Sequence, residues 1–86
     1  MLLLDNVTPM NIEYFNVTLV DNTGLALDKT FTSGVEVVGV VIVDHQNPIV
    51  AVVDLKYAVS AGVITVTGNF TGNVTIKCKL AVLYRI

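Results

Sequence analysis

The stretch that most constrains the fold is the last one, residues 74–86 (VTIKCKLAVLYRI), in which every even-numbered residue is apolar. Most odd-numbered residues are polar, with Ala81 and Leu83 as the exceptions. A period of two is typical of a β-strand with one buried face. Such a segment would span roughly 40 Å at about 3.3 Å per residue, whereas a usual strand has about five or six residues. A strand this long can pair with several shorter strands or extend onto a neighbouring molecule.

The rest of the chain repeats strand-like stretches between turn-forming residues. Further strands are predicted at 12–20, 25–32, 35–44, 49–57 and 63–67. The turns contain Asp, Asn, Ser, Gly and Pro, which favour tight or left-handed backbone conformations. We expect residues 35–44 and 49–57 to form a hairpin with a four-residue loop. The repeated Thr-Gly-Asn sequences at 67–69 and 71–73 predict a second hairpin turn, which leads into the last strand.

This rhythm of strands and turns, without a helical pattern, predicts an all-β fold. We expect a small antiparallel β-sandwich of about six strands, of jelly-roll or immunoglobulin-like kind. The length of 86 residues fits one β domain at 12–86, preceded by an N-terminal arm at 1–11. The tip of the arm is apolar and consists of Met1, Leu2, Leu3 and Leu4. This tip either lies against the sheet as a short strand or docks on a neighbouring subunit.

The predicted strand 35–44 (VEVVGVVIVD) is apolar on both faces, which is typical of a strand that is covered on both sides. A chain this short has little material for three layers, so we expect one face to contact another copy or another protein. We assign Val38, Val40 and Ile42 to that interface and Val37 and Val41 to the core, although the pattern also permits the reverse. Gly39, in the middle of the strand, predicts a bulge or the close approach of another backbone.

Composition excludes several classes of function and favours contact with protein. Charged residues make up 14 % of the chain, against roughly 25 % in an average domain. The five Lys and Arg residues form no run, so we expect no nucleic-acid partner. The sequence has no apolar span continuous enough to predict a membrane helix, and we expect no secretory signal.

No residue pattern predicts a catalytic, cofactor-binding or metal site. His45 is expected in an exposed loop, and Cys78 on the apolar side of the last strand, as a small buried residue. A Cys78–His45 nucleophile pair would require an accessible thiol. Oxygen ligands for calcium are available in two places, at Asp21, Asn22 and Gly24 and at Asp44 and Asn47, but turn formation explains them without an ion.

In composition and strand rhythm the whole chain resembles the small Val-, Thr- and Asn-rich all-β accessory proteins of viral particles, such as capsid decoration (cement) proteins of tailed phages. The resemblance implies a non-enzymatic virion protein that binds a repeating capsid lattice and its own copies, with a trimer as one implied state. It carries no motif, so no functional residue is transferred.

The alternative is a small β-sandwich module that binds carbohydrate on a cell surface. The chain has no Trp, and its three tyrosines are scattered along the sequence. Tyr14 is the tyrosine expected to be exposed, whereas Tyr57 and Tyr84 lie on predicted apolar faces, where the ring is usually buried and the hydroxyl lies at the rim. An enzyme is the third and most distant hypothesis.

Overall fold

The computed structural model describes residues 10–45, 52–72 and 74–86, and this part of the chain is all-β. It forms two three-stranded antiparallel sheets, with strand orders β1-β6-β3 and β2-β5-β4. The strands are β1 (Asn11–Val20), β2 (Gly24–Thr30), β3 (Glu36–His45), β4 (Val52–Ser60), β5 (Val63–Phe70) and β6 (Thr75–Arg85). The predicted all-β class and the number of strands are therefore confirmed. No helix long and apolar enough to cross a membrane occurs in these ranges. The arm tip Met1, Leu2, Leu3 and Leu4 lies outside the described residues.

Strand β6 is the centre of its sheet and pairs with two other strands, which is one of the two arrangements that its length allows. It pairs with β1 along one edge, from Asn11↔Tyr84 to Val20↔Thr75, and with β3 along the other. Its even-numbered residues face the core, and Leu80 and Val82 are completely buried. The outer-facing Thr75, Lys77 and Lys79 are exposed, because the period of two directs them to the opposite face.

The two predicted hairpins are wrong, because the chain changes sheet at both places. Strands β3 and β4 belong to different sheets, and so do β5 and β6. The first Thr-Gly-Asn sequence is not a turn: Gly68 and Asn69 continue β5 as far as Phe70. Among the described residues, adjacent strands in sequence form a hairpin at β4–β5, where Ser60 pairs with Val63. Ala61 and Gly62 there have φ angles of 51° and 79°, as a two-residue hairpin turn with the twist of the strands requires.

The inner faces of both sheets contribute to one hydrophobic core. Strands β1 and β6 supply Leu19, Ile76, Cys78, Leu80 and Val82, and β3 supplies Val40. The other sheet supplies Leu27, Ile64, Val66 and Phe70, with Phe31 from the connection after β2. At one end, the two connections between sheets are tied together, because the Asp21 carboxylate accepts a hydrogen bond of 2.7 Å from the Phe70 N–H and the Asp21 N–H donates to the Val74 carbonyl.

The two sides on which the sheets meet, β1 with β2 and β3 with β4, differ in how well they are covered. On the side of β1 and β2, Leu27 is 3 % exposed, and Lys29 of β2 forms an ion pair with Glu13 of β1 at 2.5 Å. On the side of β3 and β4, the inner-facing Tyr57 and Val59 pair with the buried Val66 and Ile64 but remain 38 % and 47 % exposed. The first side is therefore closed between the sheets, whereas the second leaves apolar side chains uncovered.

Two bulges in β3 overturn the predicted assignment of its faces. The register with β6 shifts between Val37 and Gly39 and again between Ile42 and Asp44. Each extra residue reverses the inside–outside alternation that follows it. As a result Val40 is a core residue, Ile42 packs against the core and Val38 is half-buried at the first bulge, so these three do not form an exposed interface face. Val41, which we expected in the core, is exposed, whereas Val37 packs against the core as expected.

Candidate protein interaction site

Four exposed apolar side chains lie together on the outer face of the β1-β6-β3 sheet. The strand register aligns these residues in rows: Ile12 and Gly39 both pair with Leu83, and Tyr14 and Val41 both pair with Ala81. Ile12, Tyr14, Val41 and Val43 are 52 %, 58 %, 45 % and 48 % exposed. We call the residues of these rows, together with Val43 at the second bulge, the outer apolar face: Ile12, Tyr14, Gly39, Val41, Val43, Ala81 and Leu83.

The outer apolar face has an apolar centre and a charged rim. At one end, the Arg85 Nε donates a hydrogen bond of 2.8 Å to Glu36. At the other end the Lys79 ammonium lies 5.8 Å from the centre of the Tyr14 ring, and Asp44 and Lys77 are exposed beyond it. Apolar surface with a polar rim is typical of protein interaction sites, and tyrosine is enriched in the centre of such sites.

Gly39 leaves the outer apolar face without a side chain at one position of the edge strand β3. A Cβ atom at Gly39 would meet no other atom within 4 Å, so this backbone position is open to solvent. The sequence correctly predicts a bulge next to Gly39, and on the outer side of the sheet no atom of the described chain lies within 4 Å of where its Cβ would be. The open space leaves room for a partner to approach the β3 backbone.

The uncovered side of β3 and β4 provides a second apolar region. A cleft of about 390 Å³ lies there and is lined by Val40, Val41, Ile42, His45, Val52 and Leu55. A second cleft of about 400 Å³ is lined by Phe31, Thr32, Ser33, Gly34, Val35, Val59, Ala61 and Gly62. Core side chains line both clefts, Val40 in the first and Phe31 in the second.

The structure brings His45 and Cys78 together but does not make them a nucleophile pair. His45 is the last residue of β3 and not an exposed loop residue as expected, and it pairs in register with Cys78. Cys78 is buried, as predicted, and this burial raises the pKa of its thiol, which therefore stays protonated at neutral pH. The His45 Nδ1 atom is buried, and among the described residues it has no hydrogen-bond partner.

The other sequence-based candidates are accounted for by the fold. In the predicted calcium loop at 21–24, the Asp21 carboxylate accepts hydrogen bonds from the Phe70 N–H and the Asn22 side chain. In the described ranges, no group of three His, Cys, Asp or Glu residues could hold a metal ion. Asn47 lies outside those ranges.

The tyrosines divide as the sequence suggests, with one exception. Tyr14 is exposed, and Tyr84 packs edge-on against Phe31 with 5.1 Å between the ring centres. Tyr57 is on the inner face but is not covered, because the β3–β4 side is open.

Sequence reasoning missed Ile12, Val41 and Val43 as interface candidates. The register of β1 with β6 places Ile12 on the outer apolar face, but the sequence of either strand alone does not reveal that the two strands pair. Val41 and Val43 could be placed only by locating the two bulges. A scan against protein-family models and searches of curated proteins and of solved structures found no match to this chain.

Proposed function

We propose that this protein is a non-enzymatic structural protein that assembles with other protein through the outer apolar face. More specifically, we propose a virion component, such as a capsid decoration protein, built as a small β-sandwich of jelly-roll or immunoglobulin-like kind. The shared core of the two sheets and the overall extents of 42 × 32 × 17 Å support a two-layer arrangement, since stacked sheets lie about 10 Å apart. The compositional resemblance to decoration proteins supports the virion part of the proposal.

The observation that carries the proposal is the outer apolar face itself. Its exposed side chains lie on β1 and β3, and the apolar Ala81 and Leu83 of β6 lie between them in the same rows, so the apolar surface continues across the sheet. Single exposed apolar residues are normal on a protein surface, but a continuous apolar patch indicates a binding site. An exposed sheet face suits the surface of another folded protein better than it suits a small ligand.

Two substitutions on this face test the proposal without disturbing the core. Val41→Asp places a charge at an exposed position, and Gly39→Glu adds a side chain where no atom lies within 4 Å. The readouts are binding of a hydrophobic fluorescent dye and solution mass by light scattering, with circular dichroism as the check on folding. We expect the wild-type protein to bind dye or to associate through this face, and both variants to lose that property several-fold.

Thr18→Asp is the matched control for these variants. Thr18 is exposed on the same outer face, opposite Lys77 and away from the apolar rows, so this change should leave dye binding and mass unaltered. A wild-type protein that binds no dye, and whose mass does not respond to Val41→Asp, would contradict the proposal.

Carbohydrate binding is the second candidate, and the exposure of Tyr14 is the observation that favours it. An exposed ring can stack on a sugar, and Asn16 and Lys79, which pair with each other beside it, could donate hydrogen bonds. Titration with a panel of glycans, followed by tyrosine fluorescence, tests this candidate. Saturable binding that is lost in Tyr14→Ala would support it, and absence of binding, or binding that survives this change, would exclude Tyr14 as the platform.

A further inference from the structure

We propose that β4 pairs with β4 of a second copy in antiparallel orientation, centred on Leu55, so that two copies form one continuous six-stranded sheet. Among the described residues, β4 pairs with β5 alone, which leaves its other edge open. The exposed inner-facing Tyr57 and Val59 lie along that edge, and Val53 is 67 % exposed. An open edge strand with uncovered apolar side chains is a template for pairing with another strand.

Strand β4 has one register shift, between Val52 and Asp54, and pairs regularly with β5 from Asp54 to Ser60. The other three edge strands are less suited to this pairing. Strand β3 contains two bulges, which interrupt a regular ladder, and antiparallel self-pairing centred on Val40 would place Glu36 opposite Asp44. Strand β2 has seven residues and a register irregularity of its own. Strand β1 is regular, but its inner-facing Phe15, Val17 and Leu19 are covered by the core and offer a partner little apolar surface.

The charges of β4 select the register. Asp54 and Lys56 flank Leu55 on the outer side of the sheet. When two copies run antiparallel with Leu55 opposite Leu55, Asp54 of each chain lies opposite Lys56 of the partner subunit. The same register places Tyr57 opposite Val53 of the partner subunit, the residue at the register shift of β4, and so covers the most exposed valine of the strand. The sequence Val53-Asp54-Leu55-Lys56-Tyr57 is therefore complementary to itself by charge and by apolar character.

Neighbouring registers are less favourable. Residues opposite each other in an antiparallel ladder share a face, so the register can move only in steps that keep inner residues opposite inner residues. The nearest registers of this kind are centred on Asp54 or on Lys56. They place Asp54 opposite Asp54 or Lys56 opposite Lys56, and two opposed like charges are destabilising. Centring on Tyr57 leaves Asp54 and Lys56 without an opposite charge.

A two-fold axis follows from this arrangement, since the same five residues form both halves of the contact. The proposed dimer contact uses an edge of the β2-β5-β4 sheet and leaves the outer apolar face of the other sheet free. The inference is therefore independent of the proposed function: loss of the dimer and loss of binding by the outer apolar face are separate results of separate variants.

A charge-swap experiment with solution mass as the readout tests the proposal. We expect a wild-type mass of about 18 kDa, twice the 9.2 kDa of one chain. Asp54→Lys alone opposes two positive charges across the axis, and Lys56→Asp alone opposes two negative charges. Each should weaken the dimer by about tenfold or more, because directly opposed like charges destabilise cross-strand pairs. The double variant Asp54→Lys with Lys56→Asp restores opposite charges and should restore the dimer.

Asp28→Lys is the matched control, because Asp28 is exposed on β2, the opposite edge strand of the same sheet. It makes the same change of charge and should leave the dimer intact, as should Val41→Asp on the outer apolar face. Circular dichroism checks that each variant is folded. A wild-type protein that stays at 9.2 kDa over the concentration range overturns the proposal. Single variants that dimerise as the wild type does, or a folded double variant that stays monomeric, also overturn it.

Discussion

The two sides on which the sheets meet, β1 with β2 and β3 with β4, are each formed by two edge strands but differ in how well their inner side chains are covered. On the β1–β2 side, Lys29 of one sheet forms an ion pair with Glu13 of the other, and Leu27 is buried. On the β3–β4 side, Tyr57 and Val59 point inward but meet no equivalent cover in the described chain. The difference indicates that alternating apolar residues are enough to form a strand but do not ensure that its inner face is covered.

The difference also shows where this small protein has apolar surface left for a partner. A closed edge needs a charged or polar group that reaches solvent between the sheets, and Lys29 does this because its apolar stem can lie along the core while its ammonium stays exposed. Strand β4 places its own charges, Asp54 and Lys56, on the outer face of the sheet, where they cannot cover the inner side chains.

The largest expected effect is a difference between the two sides in the free energy of unfolding that a truncated side chain costs. Leu27→Ala on the closed side should lower the free energy of unfolding by about 2–5 kcal/mol, because it leaves a cavity among buried residues. Val59→Ala on the open side should cost less than about 1 kcal/mol, since this side chain is already half in solvent. Urea denaturation measures both in the Asp54→Lys background, in which the β4–β4 contact is expected to be weakened, so that a second copy does not cover Val59. The fully buried Val66→Ala is the control for the change from Val to Ala and should cost about 2 kcal/mol. Equal costs for Val59 and Val66 would mean that the β3–β4 side is covered in solution.

An intermediate effect is expected where the chain crosses between the sheets. Asp21→Ala removes the acceptor for the Phe70 N–H, which is then left in a partly buried position. We expect a loss of about 1–3 kcal/mol in the free energy of unfolding, the usual cost of an unpaired buried donor. Thr23→Ala, which removes an exposed hydrogen bond of 3.3 Å in the same turn, should change the stability by no more than about 0.5 kcal/mol. If the two variants are equally stable, the link between the sheets at Asp21 contributes nothing.

The smallest effect concerns pH and the ion pair of the closed side. The hydrogen bond from Lys29 to Glu13 is the main cause that raises the pKa of Lys29 above its ordinary value near 10.5. A group whose pKa is raised on folding stabilises the folded state fully below its unfolded pKa, and this contribution is lost as the pH rises through the folded pKa. The stability of the wild-type protein should therefore fall more steeply above pH 10 than that of Lys29→Met. Parallel pH profiles that do not converge at high pH would contradict this account of the closed side.

The sequence predicts the strands better than it predicts their partners. The alternation in 74–86 identifies β6 and its buried face, and Asp54, Leu55, Lys56 and Tyr57 lie on the faces that their alternation indicates. Partners are not predictable in this way, because the turn-forming residues Asp21–Gly24 support a hairpin and a crossing between sheets equally well. In this chain, hydrogen bonds to Phe70, Val74 and Gly68 hold that turn as a crossing, and these residues are about fifty positions away.

The sequence predicts an apolar interaction site but assigns the wrong residues to it. A strand of almost uninterrupted Val and Ile does indicate apolar surface on both faces, and β3 does carry exposed apolar residues on its outer face. Alternation assigns the wrong residues to each face, since bulges near Val38 and Val43 each reverse it. In a run of similar β-branched residues nothing marks a bulge, except that Gly39 lies beside one of them. Ile12 and Tyr14 join the site only through the register of β1 with β6.

The most direct test of the account is disulfide cross-linking at the proposed axis of the β4–β4 contact. Residues directly opposite each other in a ladder have Cβ atoms about 4.5–5.5 Å apart, close to what a disulfide requires. The native Cys78 is buried, so the wild-type protein serves as the unlinked control. Under mild oxidation we expect Leu55→Cys to form a covalent dimer readily and Tyr57→Cys to form little. A covalent dimer from Tyr57→Cys but not from Leu55→Cys, or from neither, would contradict the claim that a second copy completes the open side at Leu55.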